Sequence, residues 1–371
     1  MKALDTKLWR DLQSLWAQVL TIAVVVAIGV AGFVGMFSVH ESLKNARDNF
    51  YRDNRMADVF IRIQRAPLPL QARLLALPGV ADLQLNVVHD AQLALPHVQA
   101  PVTGRFIGLD LSRLHAQRQV MNALTLRSGR WPEPGRTLEA VVNERFAQAR
   151  HLQPGDQVQA ILNGQLQTVH LVGTVITPEY VFASRGGAPD DKSFGVWWVD
   201  QQRLAHAIDM QGAFNQAAFR VHDSADPKQL TAQLIQQVDA LLAPYGTRGA
   251  MRQDQQISAR IVNDELSQMK VMGTVLPAIF LAVSVFILSG VIGRQVATQR
   301  QQMAALKALG YPDRRIAEHY MGLALAISGL GLLAGLLLSQ WIGRTMLGLY
   351  GEVFRLAHLD YATTPWLVAA A

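Results

Sequence analysis

The sequence has no cysteine among its 371 residues. That excludes disulfides, thiolate metal sites and a cysteine nucleophile. It is also short of charge: Asp, Glu, Lys and Arg make up 17% of it, against roughly 25% in ordinary soluble domains. No Gly-x-x-x-x-Gly-Lys-Ser/Thr phosphate loop occurs, and no Gly-x-Ser-x-Gly nucleophile elbow. The 10 histidines are scattered and none shows the His-x-x-x-His spacing of a zinc helix. The net charge of +6 is spread out, without a basic run interleaved with aromatics, so nucleic acid is not an expected partner.

Half of the residues are hydrophobic, and they cluster. Three stretches carry no charge: Val19–Val39, Val271–Gly293 and Tyr320–Gly343. Each reaches the roughly 20 residues that a helix needs to cross a bilayer. The first is too long for a signal core and is studded with Gly29, Gly32 and Gly35, without a small-x-small cleavage site; it reads as a retained anchor. Before it, Leu8, Leu12, Leu15 and Trp16 share one helical face, and Trp9 and Trp16 suit the membrane–water interface.

Charge then sets the expected topology. Residues 294–319, between two spans, carry Arg294, Arg300, Lys307, Arg314 and Arg315 against Asp313 and Glu318. The positive-inside rule puts this loop in the cytoplasm. The expected layout is an interfacial helix at 1–18, spans at 19–39, 271–293 and 320–343, and an outer segment at 40–270. A cytoplasmic elbow follows at 294–319, an outer loop at 344–364, and the start of a fourth, truncated span at 365–371. The N-terminus is cytoplasmic in this layout.

The outer segment mixes helix and strand signals. Val59–Ile63 reads as a strand, Leu68–Leu77 as a short helix, and Leu83–Val87 as a half-buried strand. Ala217–Val221 and Asp226–Leu242 repeat the strand and helix. Two such units, at about 57–100 and 213–255, predict one α/β subdomain interrupted by a β-rich insertion at about 101–212. Within the insertion, Asn163-Gly164 between Gln157–Leu162 and Gln165–Val169 is a hairpin pattern. Tyr180–Phe194 reads as an exposed loop. Helical periodicity in Glu41–Arg55 and Ser258–Lys270 predicts two stalks. The expected class is an α-helical transmembrane bundle with a large extracytoplasmic α+β domain on helical stalks.

Some residues have two readings. His89-Asp90 is an acid–base pair or a chance neighbourhood, and Asp190-Asp191 a cation site or a solvated loop. Asp53, Arg55 and Asp58 read as surface or salt-bridge residues. Ala31-x-x-x-Gly35 and Gly331-x-x-x-Gly335 offer small faces for helix packing, or only reflect how common glycine is in membrane helices.

The elbow is the most informative segment. Gly310 suits a helix stop and Pro312 the start of the next helix. Its tip, with Leu309, Tyr311 and basic neighbours, is a docking knob or a basic loop facing anionic lipid. Met303–Ile316, Met-Ala-Ala-Leu-Lys-Ala-Leu-Gly-Tyr-Pro-Asp-Arg-Arg-Ile, resembles the stretch that follows the second span in MacB/FtsX-like ABC-transporter permeases. Gln302-Met303 departs from the Glu-Ile often found there. Gly129-Arg130-Trp131-Pro132, Glu139–Ala147, Leu152–Asp156 and Val172-Gly173 resemble the outer-domain pattern of that family, and the layout agrees over essentially the whole chain. Residues 1–60 and 276–320 look most like its long, duplicated members.

That resemblance implies a permease subunit with no enzymatic activity or cofactor of its own, ATP and Mg being held by a separate cytoplasmic ABC ATPase. Met303, Leu306, Lys307, Leu309, Gly310, Tyr311, Arg314 and Arg315 are the expected ATPase-coupling residues, and Ala31, Gly35, Gly331 and Gly335 the expected packing residues. A periplasmic protein or hydrolase is a further expected partner, with the lipid bilayer. The expected place is the bacterial inner membrane. The alternative is a membrane-anchored ligand sensor or a regulator of an envelope enzyme, without transport.

Overall fold

The computed structural model describes residues 3–95, 100–115, 120–135, 137–185, 188–355 and 359–361. Contacts divide the chain into two units, one of residues 48–263 and one of residues 1–47 with 264–371. The chain opens with α1 (Ala3–Ser14) and α2 (Trp16–Asp53).

The unit of residues 48–263 holds two sheets. Its first elements are β1 (Val59–Pro67), α3 (Leu70–Leu75) and β2 (Val80–Asn86). The chain then leaves this sheet for β3 (Val88–Ala94), β4 (Val102–Leu109), α4 (Leu111–His115) and β5 (Thr125–Gly129). There follow β6 (Leu138–Asn143), α5 (Glu144–Ala149), β7 (Gln157–Leu162), β8 (Gln165–Ile176), β9 (Phe194–Asp200) and α6 (Gln201–Ala207). It returns through β10 (Ala213–Val221), α7 (Pro227–Leu242) and β11 (Met251–Arg252).

The four-stranded sheet has the order β11-β1-β10-β2 and is antiparallel throughout. One face buries Ile61, Leu83, Phe214 and Phe219 against Leu70 and Leu74 of α3 and Leu234, Val238 and Leu242 of α7. Each fully buried Leu or Phe contributes roughly 2 kcal/mol. α7 starts where Asp226 accepts a hydrogen bond from the Gln229 N–H, with Pro227 in the first turn. That is the N-cap chemistry helices favour.

The second sheet runs β5-β8-β6-β9-β4-β3-β7, and β7 also pairs with β8. Six strands therefore close into a barrel, with β5 attached along β8. Phe106, Phe146 and Trp197 fill it; the Trp197 ring stacks on Phe106 at 6.0 Å and meets Phe146 edge-on at 5.9 Å. The β7–β8 turn uses Asn163 and Gly164, both at positive φ, as a two-residue hairpin of this kind demands.

Three expectations need correction. The junction between the sheets falls at Val87, not near residue 100, because β3 pairs with β4 and β7. Tyr180–Phe194 is not all exposed: Val181, Phe182, Ala183 and Ser184 are buried, and Ser258 Oγ bonds both backbone groups of Phe182. Residues 344–354 are helix rather than loop. Leu347 and Phe354 stay buried there, and the helix stops only at Arg355, at φ +50°.

The other unit is completed by α8 (Ile257–Thr298), which begins in residues 48–263, and by α9 (Arg300–Ala308) and α10 (Asp313–Phe354). α2, α8 and α10 are long and apolar enough to cross a membrane. Val19, Ile22, Val26, Val30 and Val34 of α2 pack on Leu323 and Ile327 of α10, and Leu8, Leu12 and Leu15 join them. Phe286 on α8 and Leu337 and Trp341 on α10 remain exposed, as lipid-facing residues are. Residues 365–371, expected to start a fourth span, lie outside the described residues.

Candidate functional site

The elbow is built by a helix stop and a helix start. α8 does not run unbroken to the tip; it ends at Thr298, and α9 begins after Gln299. Gly310 then takes φ +88°, which L side chains rarely adopt. The Gly310 N–H bonds the Lys307 carbonyl at 3.0 Å and the Tyr311 N–H bonds the Leu306 carbonyl at 3.1 Å. This is the Schellman arrangement, and it reverses the chain within one residue. Pro312, extended at φ −69°, precedes α10.

Leu309 stands 76% exposed at the tip. Arg314 and Arg315 are exposed, while Met303, Leu306 and Tyr311 are half-buried. Lys307 Nζ lies 2.5 Å from Asp313 Oδ1 across the turn, and Arg314 Nε 3.1 Å from Glu318 Oε1. The elbow thus presents one apolar side chain on a rigidly capped turn, with three basic residues around it. Such an arrangement suits a protein contact with an apolar anchor and an orienting charged rim.

At the base of the elbow lies a network with no motif in the sequence to mark it. Lys7 Nζ donates to Asp11 Oδ2 at 2.8 Å and to Gln299 Oε1 at 2.7 Å. Gln299 Nε2 donates to Asp11 Oδ1 at 3.3 Å, and Tyr320 donates from its hydroxyl to Gln299 Oε1 at 3.0 Å. His319 Nε2 is 3.1 Å from Asp11 Oδ2. Asp11 and His319 are buried. Burial pushes the Asp11 carboxyl up, but the bonds from Lys7, His319 and Gln299 outweigh it and hold it below its ordinary value. The network fixes α1, the α8–α9 break and the start of α10 to one another. The only signal available beforehand is Lys7 and Asp11 at i, i+4 beside the Leu8–Leu12–Leu15 face.

The small residues are placed together by close helix packing. A Cβ at Gly331 would lie 2.6 Å from Val26 Cβ, and one at Gly335 2.7 Å from Val30 Cβ. Ala31 is buried, and Gly35 faces the Ser339 backbone at 3.5 Å. Only glycine lets α2 and α10 approach this far.

The remaining candidates are structural. Asp90 receives two bonds from Arg105, at 2.7 and 2.8 Å, rather than turning to His89. Burial raises Asp90 and the Arg105 contact more than reverses this, leaving it lowered. Asp190 accepts from the Lys192 and Ser193 N–H groups and so closes a turn. Asp58 accepts from the Val221 N–H, and Arg55 pairs with Asp82 at 3.0 Å. Among the described residues, no group of three His, Asp or Glu could hold a metal ion.

Two family profiles match the sequence. The MacB-like periplasmic core domain matches residues 19–237, more than half of the chain, and the FtsX-like permease C-terminal domain matches residues 274–371. No curated protein matches. Among solved structures, the periplasmic region of MacB from Actinobacillus actinomycetemcomitans is 14% identical, with a TM-score of 0.36; the alignment covers 57% of this chain and 96% of that one. The extracellular domain of the noncanonical ABC-type transporter YknZ from Gram-positive bacteria is 13% identical, with a TM-score of 0.32, over 53% of this chain and 98% of that one. A domain of a permease protein from Porphyromonas gingivalis is 10% identical, with a TM-score of 0.30, over 54% and 90%. On the two profile matches, the chain belongs to the FtsX/MacB-like family of ABC-transporter permeases.

Proposed function

We propose that the chain is the transmembrane subunit of an ATP-driven assembly in which a separate cytoplasmic ABC ATPase moves the elbow. The ATPase holds ATP and Mg, and this chain carries no catalytic step. Leu309 is the buried anchor of that contact, with Tyr311 beside it; Met303, Leu306 and Gly310 shape the elbow, and Lys307, Arg314 and Arg315 orient the partner. The observation that carries this reading is the 76% exposure of Leu309 on a Schellman-capped turn. An apolar side chain held on a rigid turn and rimmed by basic residues suits the anchor of a protein contact.

The basic elbow supports a cytoplasmic N-terminus and elbow, with residues 48–263 on the outer side of the inner membrane. α2 and α8 each continue from one unit into the other without a break. Such helices suit transmission of elbow movement to the outer unit, for export, extraction or remodelling of lipophilic or envelope-associated molecules. An outer protein or hydrolase would be a second partner.

The test is a photocrosslinker at Tyr311 in native membranes, with the captured partner identified by mass spectrometry. Capture of an ABC ATPase, lost in Leu309→Asp, is the expected result. Capture of lipid alone under ATP-trapping conditions would sink the reading and favour a membrane-anchored sensor or regulator.

A further inference from the structure

A cavity of about 600 Å³ opens in the unit of residues 48–263, between the two sheets. Its size falls within the roughly 300–1,000 Å³ of small-molecule sites. β4 contributes Ile107 and Leu109, β9 contributes Trp198, and Met121 and Leu124 complete an apolar wall. The opposite side is cationic: Arg52 and Arg55 come from the end of α2 and the turn after it, and Arg220 from β10.

The charges do not cancel. Asp82 lies directly across the β10–β2 pair from Arg220, where a cross-strand ion pair would be expected. Arg55 has taken that carboxylate, at 3.0 Å. Among the described residues the half-buried Arg220 guanidinium makes no hydrogen bond or ion pair, although its charge acts on Asp58. Of the two acids on the cavity wall, Asp53 sits 3.4 Å from Arg52. The other, Glu179, is pushed by burial toward its neutral form. Gln84 and the buried Asn86 add amide groups beside the arginines.

We propose that this cavity binds an organic oxyanion, a carboxylate or phosphate carried on a compact apolar body. The guanidinium of Arg220, joined by Arg52, takes the oxyanion, because the planar fork of arginine matches carboxylate and phosphate oxygens. Trp198 and the leucines take the apolar body. The site belongs to the unit of residues 48–263 and the elbow to the other, and binding there does not depend on an ATPase partner.

Isothermal titration of the full chain in phosphatidylcholine nanodiscs tests it, with butyl phosphate, pentanoate, inorganic phosphate and butanol as probes. Saturable one-to-one binding of butyl phosphate or pentanoate is expected, with affinity falling about tenfold in Arg220→Ala, the loss of one charge-assisted contact. Arg52→Glu, at an exposed position that leaves folding intact, should weaken binding at least as much. Binding should weaken with added salt. Absence of saturation, or unchanged affinity in Arg52→Glu, would overturn the proposal. So would equal affinity for butanol, which removes the oxyanion, or for inorganic phosphate, which removes the apolar body.

Discussion

The same pair of residue types occurs twice in one unit, in two different settings. At the elbow, Lys307 and Asp313 meet at 2.5 Å with side chains 55% and 79% exposed. In the network at its base, Lys7 and Asp11 meet at 2.8 Å with side chains 21% and 11% exposed. Distance alone would rank the elbow pair as the stronger. Solvent reverses the order: exposed pairs are screened and contribute little. A buried carboxylate with several donors cannot lose one without leaving charge uncompensated. The network is therefore scaffold, and the elbow's polar surface is available for a partner.

That contrast can be broken at several points. The largest effect is expected from Leu309→Asp: loss of partner capture at the elbow with an unchanged melting temperature. A matching drop in melting temperature would make Leu309 part of the fold instead. Next comes Asp11→Ala, which removes the acceptor shared by Lys7, Gln299 and His319. Denaturation in detergent should show a loss of about 2–3 kcal/mol.

The third concerns pH, where two acids act with opposite signs. Asp11 is held below its ordinary value, so its stabilisation is present above the unfolded-state value near 3.8 and is lost as pH falls through the folded one. Glu179 is raised by burial, foremost, with Arg62 and the Gln216 bond opposing. Its contribution is present below the unfolded-state value near 4.5 and is lost as pH rises through the folded one. The stability of Glu179→Gln relative to the natural chain should therefore increase from pH 4 to pH 8. A flat difference would show that Glu179 takes up its proton at the same pH in the folded and unfolded chain, so that burial does not raise it. The smallest effect is expected for Lys307→Ala, which should change unfolding stability by no more than about 0.5 kcal/mol.

Much of this was legible in the sequence because the signals are local. The apolar stretches mark α2, α8 and α10 by length alone. Gly310 and Pro312 mark the elbow because glycine allows a positive φ and proline fixes its own. Asn163-Gly164 marks a hairpin because both residues tolerate positive φ. What could not be read depends on closure over long separations. Nothing near Gln165 announces that β8 will meet both β7 and β6 and so close a barrel. Nothing near Asp11 announces Gln299 or His319, which lie far along the chain. Arg220 reads as an ordinary strand arginine until the register shows that Arg55 has taken the acid opposite it. The sheet junction was misplaced because β3, with its alternating pattern, could have extended either sheet.

The register at that junction has a topological consequence. Asn86 and Gln216 are paired neighbours on β2 and β10, and Asn215 clamps Val88 through both its backbone groups, at 2.7 Å each way. The chain leaves β2 after Asn86 and re-pairs with it at Gln216, once Ala213 and Phe214 have already joined β1. Seen from that sheet, the entire barrel is the loop of one β-hairpin, and a two-residue turn could span the same gap. Hairpin loops are where proteins tolerate insertion, deletion and exchange with least effect on their framework. The barrel is thus an insertion within one β-hairpin of the small sheet, and one wall of the arginine-lined cavity comes with it.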